Sequence, residues 1–174
     1  MKSLNKTSKI FAFLAIISCS IWIGAYLSRL FLSYQLFEAQ DLSLKPYITS
    51  ANLPGILITM LPSITTTFVS YTCFIIFFGL FIIIAKIKLR FNGWLFIIII
   101  IILITLPFEI YLMTIDYNII IQLNYGTYNT SEIVDLFVKR IKILGSFSLI
   151  EILCYLSFYY FLLFRPLIKN SNEN

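Results

Sequence analysis

Three ionisable residues stand inside otherwise apolar stretches of the sequence: Arg29, Glu109 and Glu151. An isolated charge in the hydrocarbon of a bilayer costs roughly 2.5 to 3.5 kcal/mol even on insertion scales, so such residues are expected to pair or to carry a function. At 1.5 Å per residue they lie about 21 to 28 Å from the cytoplasmic ends of their spans, in the outer half of the membrane. We predict one intramembrane charge cluster, in which the Arg29 guanidinium reaches Glu109 or Glu151.

Hydroxyl side chains predict a polar pocket beside these charges. They come from the outer half of the second apolar segment and from positions one helical turn from each glutamate. The predicted lining is Thr59, Ser63, Thr66, Thr67, Ser70, Thr105 and Tyr155. In the alternative interpretation, these hydroxyls bond to their own helix backbones and the charges only hold the helices together, as is common in membrane helices.

The residue types and their spacing give little support for a catalytic, metal or cofactor site. The chain has no histidine, and Cys19, Cys73 and Cys154 stand singly in three different apolar segments. Metal sites need clusters of such ligands at short spacings, and no glycine-rich phosphate loop is present. We therefore predict no catalytic residue, no metal site and no cofactor, and we expect the protein not to be an enzyme.

The elements that position these residues are long apolar segments. The sequence is 60% hydrophobic and 12% charged, and isoleucine is unbroken over 97–102. A span needs about 20 apolar residues. We predict an all-α membrane protein, a single integral domain over 1–174 with four transmembrane helices in an antiparallel bundle. The predicted spans are about 10–32, 56–85, 93–115 and 143–164.

The connections between the spans are short. Asn52 followed by Pro54 predicts a helix start, because proline in the first turn lacks only an amide that would have no partner there. A second loop is predicted from Asp116 to about residue 130. Residues 132–144 form an amphipathic pattern, typical either of a short helix on the bilayer surface or of an extension of the last span.

Basic residues are concentrated at one end of the predicted bundle. The positive-inside rule makes that end cytoplasmic, with both termini. We predict a multi-pass protein of the bacterial cytoplasmic (inner) membrane, although Lys139, Arg140 and Lys142 oppose this orientation. The net charge of +5 lies in short clusters that flank apolar segments, so no nucleic-acid partner is predicted. The cytoplasmic set is Lys2, Lys6, Lys9, Lys86, Lys88, Arg90, Arg165 and Lys169.

Three functions are compatible with this pattern. The first is a non-enzymatic subunit or accessory partner of a membrane complex, in contact with lipid and with other subunits or copies of itself. The second is an ion-coupled carrier in which Glu109 or Glu151 binds a proton or cation from the outer side. The third is a lipid- or quinone-binding protein, indicated by the aromatic residues near the end of the last span, from Tyr155 to Phe164.

Overall fold

The structure is a computed structural model that describes residues 5–125, 129–144 and 147–167. These residues form five α-helices and no β-strand. Two residues outside the helices, Phe37 and Leu44, make an isolated antiparallel bridge within the first loop. A short 3-10 turn, Leu89–Phe91, precedes the third helix. The helices are α1 Lys6–Leu36, α2 Leu53–Ala85, α3 Gly93–Tyr125, α4 Thr130–Leu144 and α5 Phe147–Phe164.

The first three helices are long and apolar enough to cross a membrane. They contain 31, 33 and 33 residues. At 1.5 Å per residue each is about 46 to 50 Å long, which exceeds the hydrocarbon thickness of about 30 Å. The class of helical membrane protein is thus confirmed. The predicted start of α2 is also confirmed, because the helix begins at Leu53 with a proline in its first turn and ends at Ala85.

The predicted loop from Asp116 to about residue 130 is wrong as far as Tyr125. Helix α3 continues because Ile115, Ile119 and Leu123 recur every four residues and are all buried. This spacing keeps them on one face of a helix, where packing favours the helical conformation. Asp116 lies inside the helix and is 2% exposed. A single acid in the sequence is therefore no sign that the helix ends.

Helices α4 and α5 follow a different course from a straight span. Their axes are inclined by 67° to each other, so α4 does not continue the last span in a straight line. Together they are apolar and long enough to count as one broken span. The two predicted placements of 132–144, on the bilayer surface or as an extension of the last span, stay predictions. The apolar face of α4 contributes Ile133 and Phe137 to a cluster with the ends of α1, α2 and α3, and both side chains are almost completely buried.

Two hydrophobic clusters form the core. One surrounds Trp22 and combines residues of α1, α2, α3 and α5. The other surrounds Ile119 and combines the ends of α1, α2 and α3 with α4 and the loop between α1 and α2. Along α3 the first cluster ends at Leu112 and the second begins at Ile115. The buried charged residues lie near this boundary.

Candidate functional site

One carboxylate joins two arginines from different helices. Arg29 of α1 donates two hydrogen bonds to Asp116 of α3, with Nη1–Oδ2 and Nη2–Oδ1 distances of 2.6 and 2.5 Å. Arg140 of α4 donates from Nε to Oδ1 of the same carboxylate at 2.9 Å. The three residues are 2%, 2% and 9% exposed. This group, the arginine triad, uses the fork geometry that makes guanidinium–carboxylate pairs strong in low dielectric.

The hydrogen bonds of Arg140 are incomplete. Its Nη2 is buried and has no hydrogen-bond partner among the described residues. Its guanidinium lies over the ring of Tyr26, with Cζ 5.5 Å from the ring centroid. A cation over an aromatic face is stabilised electrostatically, but the ring does not replace an acceptor for the free N–H groups. Arg140 therefore keeps donor capacity beyond the triad.

Glu109 of α3 and Glu151 of α5 form an acid pair. They are 2% and 1% exposed. Their carboxyl groups are close electrostatic neighbours of each other. No described donor serves Oε1 of Glu109 or either oxygen of Glu151. Because two carboxylates offer only acceptors, a hydrogen bond between them exists only when one carries a proton.

A chain of hydroxyls lies beside the acid pair: Thr105 and Tyr155 are one turn from the glutamates on α3 and α5, and Tyr71 comes from α2. Tyr71 and Tyr155 are joined OH to OH at 3.1 Å, and the Tyr155 hydroxyl is 2.8 Å from that of Thr105. Thr105 donates to the carbonyl of Ile101 at 3.0 Å, so it accepts from Tyr155, which in turn accepts from Tyr71. Trp22 packs against this hydroxyl chain, with ring centroids 4.6 Å from Tyr155 and 5.2 Å from Tyr71.

The structure buries all three predicted charged residues but changes the partner of the arginine. Both terminal nitrogens of Arg29 bond to Asp116, and among the described residues no direct hydrogen bond joins Arg29 to Glu109 or Glu151. The reason is geometric: Asp116, two turns beyond Glu109 on α3, offers both carboxylate oxygens to the fork. A contact of Arg29 with either glutamate through a water stays a prediction. Arg29 and Glu109 remain electrostatic neighbours.

The predicted hydroxyl pocket is only partly present. Thr59 and Thr66 are exposed and do not line a pocket. Ser63 is half-buried, with its hydroxyl 3.5 Å from the Ala25 carbonyl of α1. The remaining α2 hydroxyls bond within their own helix, as the alternative interpretation holds: Thr67 to Ser63 and Ser70 to Thr66. Of the predicted lining, the structure brings together Thr105 and Tyr155.

Sequence reasoning missed Asp116, Arg140 and Tyr71 as site residues. Asp116 follows Glu109 by seven residues, a spacing that places both on one helix face. Arg140 follows Phe137 by three and Ile133 by seven, which puts it on the apolar face of α4 rather than among the exposed lysines. Both signals were present in the sequence. The only sequence signal for Tyr71 as a site residue was its position in an apolar segment of α2.

Comparison with known protein families, with curated proteins and with solved structures finds no match to this chain.

Proposed function

We propose that this chain is a small, non-enzymatic, multi-pass membrane protein that binds a proton at the acid pair and couples it to transport. The observation that carries the proposal is the acid pair itself, two adjacent and almost fully buried carboxyl groups with three oxygens that have no donor among the described residues. A shared proton supplies the missing donor. Ionisable groups buried in membrane helices are typical of proton relays and ion pathways.

Charge balance supports a single shared proton. The arginine triad contributes two positive charges and one negative charge. Two ionised glutamates would leave the group at −1 in a medium of low dielectric, which is costly. One proton on the acid pair brings the sum to zero. Proton binding and release therefore alter the net charge of the buried group, which is the physical basis for coupling to a second ion.

The hydroxyl chain supports a one-sided route for this proton. Each of its three O–H groups already has an acceptor, and the last proton is held by the Ile101 carbonyl. A proton cannot pass along the chain unless Thr105 gives up its backbone bond. The chain therefore closes one side of the acid pair. On the other side, Ser148 lies one turn before Glu151, close to where α4 and α5 change direction.

The proposed topology has four spans in an antiparallel bundle, with α4 and α5 as a broken fourth span. Broken helices beside a polar site are a recurring feature of transporters. We place both termini on the cytoplasmic side of a bacterial inner membrane. The pairing of Arg140 with Asp116 supports this orientation, because a buried, neutralised arginine does not count as a cation of an outer loop.

Infrared difference spectra between alkaline and acid pH test the proton site directly. We expect a band of a protonated, water-excluded carboxyl group in the wild type. Glu109→Gln with Glu151→Gln should remove this band, since an amide cannot take up the proton. The matched control is Glu132→Gln, which changes an exposed acid on α4 and should leave the band unchanged.

Transport in reconstituted vesicles tests the coupling. Solute flux driven by a pH gradient should disappear in either single glutamine variant, and the double variant should be no worse than the singles. An infrared band that survives in the double variant, or transport that is insensitive to it, would remove the acid pair from the function.

A second candidate, a subunit or accessory partner of a membrane complex, is favoured by the surface of α1. Ser20, Gly24 and Ser28 lie four residues apart and are all exposed. A Cβ added at Gly24 would meet nothing within 4 Å. Small residues in such a row let another membrane helix approach closely. The partner would be another subunit or a second copy of this chain.

Gly24→Leu tests this candidate. If a helix docks on this row, the mass of the particle in mild detergent should fall to that of one chain, because a leucine holds the backbones apart. Gly79→Leu is the control, since a Cβ there also meets nothing within 4 Å and the change lies on α2. A wild-type particle that is already a single chain without co-purifying protein contradicts this candidate.

A further inference from the structure

A cavity adjoins the arginine triad. Its volume is about 30 Å³, and it lies between the outer half of α1 and the helices α4 and α5. By volume it has room for about two water molecules. Its lining includes Tyr26, Arg29, Ser33, Phe137, Arg140 and Ser148.

The polar groups of this cavity include two side chains with free hydrogen-bonding capacity. Arg140 Nη2 and the Tyr26 hydroxyl are both buried and have no hydrogen-bond partner among the described residues. The hydroxyl of buried Ser148 lies near that of Tyr26. No aspartate or glutamate is among the lining residues that the structure describes for this cavity. The two arginines share the single negative charge of Asp116, so the triad keeps a charge of +1. Together with the free donors of the wall, this charge suits a negatively charged ligand.

We propose that this cavity binds a singly charged anionic group, and that binding is linked to uptake of a second proton by the acid pair. The anion site rests on the cavity, whereas its link to protons rests on the function proposed above. With one proton on the acid pair, the buried charges sum to zero. A second proton leaves +1 on the group, which one monovalent anion neutralises. Each anion is therefore expected to enter with one proton.

Two sources could supply such a ligand: a free small anion, or the phosphodiester of a lipid headgroup. Both are singly charged and accept hydrogen bonds from a guanidinium. Formate serves as the probe for the free anion. Phosphatidylglycerol serves as the probe for the headgroup, and competition between the two distinguishes the sources.

Fluorescence of Trp22 provides the readout, because its ring centroid is 5.2 Å from that of Tyr26 in the cavity wall. The chain has two tryptophans, so Trp94→Phe leaves Trp22 as the sole reporter. The purified protein, in a non-ionic detergent without lipid, is titrated with sodium formate against sodium gluconate at constant ionic strength. We expect saturable binding that tightens on acidification by up to about tenfold per pH unit, the limit for one linked proton.

Variants identify the groups that bind the anion. Arg140→Lys keeps the charge but removes the free Nη2, and Tyr26→Phe keeps the ring beneath the guanidinium but removes the hydroxyl. Each should weaken formate binding by about tenfold, the effect of losing one charge-assisted hydrogen bond. Tyr117→Phe is the control, because this exposed tyrosine of α3 is not in the cavity wall.

The outcomes separate the anion site from the proton site. No saturable formate response in the wild type, or equal binding by Arg140→Lys, Tyr26→Phe and the control, overturns the anion site even if the infrared band is present. Binding that depends on Arg140 but not on pH overturns the proton link and counts against the proposed function. The Glu109→Gln, Glu151→Gln double variant should bind formate tightly at every pH. Competition by phosphatidylglycerol assigns the site to a lipid headgroup, and its absence assigns it to a free anion.

Discussion

At the scale of single residues, Asp116 connects three helices. Its two oxygens accept three hydrogen bonds, from Arg29 of α1 and Arg140 of α4, while its own backbone belongs to α3. Removing one partner from a buried ion pair is far more destabilising than the pair itself is stabilising, because the other charge is left without compensation. At Asp116 such a change leaves two guanidiniums facing each other.

We therefore expect Asp116→Asn to lower the free energy of unfolding by about 3 to 5 kcal/mol, the usual cost of breaking a buried pair. Arg29→Met should cost less, since Arg140 still neutralises the carboxylate. Thermal unfolding in detergent measures both. Asp135→Asn, an exposed acid on α4, is the control and should change stability by less than about 1 kcal/mol. Equal midpoints for Asp116→Asn and this control would contradict the proposed importance of the triad.

The burial of Arg29, Glu109 and Glu151 could be predicted because charged residues within long apolar segments almost always face the interior of a helix bundle. The choice of partner could not, because it depends on how far α3 continues. A prediction that places residue 116 in a loop excludes its carboxylate from the possible partners of Arg29. Helix periodicity through Ile119 and Leu123 was the better guide, since hydropathy falls at a polar residue whether or not the helix ends there.

At the scale of elements, the start of α3 is held against the end of α5. The Gly93 amide donates to the Leu167 carbonyl at 3.2 Å, and a Cβ built on Gly93 would lie 2.8 Å from the Leu167 Cβ. Neither atom is the far end of a flexible side chain, so a larger residue at 93 must displace backbone. This contact holds the chain after α5 at the end of the molecule that carries the 86–92 connection.

We expect Gly93→Ala to weaken this contact and to expose the chain after Phe164 to proteases, with a lower unfolding temperature. Limited proteolysis with mass spectrometry locates the cut. Gly79→Ala provides the matched control, because the same methyl group there meets nothing within 4 Å. If both variants are cut at the same rate, the close approach at Gly93 has no role in holding α5.

The sequence predicted some helices more completely than others. The bounds of α2 were predictable at both ends, because a proline begins the helix and a basic connection follows Ala85. The course of α4 was not. Its amphipathic pattern identifies the buried face but leaves open what the face packs against, and that is decided by the ends of three other helices. The sequence pattern alone identifies the apolar face of α4, whereas tertiary contacts determine what this face packs against.

At the scale of the whole molecule, the distribution of buried charge has a consequence for biosynthesis. A chain synthesised as far as Tyr125 already contains Arg29 and Asp116, which neutralise each other between the first and third helices. The segment from Thr130 to Phe164 then adds Arg140 and Glu151 to the interior, again one charge of each sign. Each stage of insertion can therefore enter the lipid without a surplus buried charge, provided that Glu109 carries a proton. The order in which the ribosome delivers the helices is compatible with the order in which their charges can be neutralised.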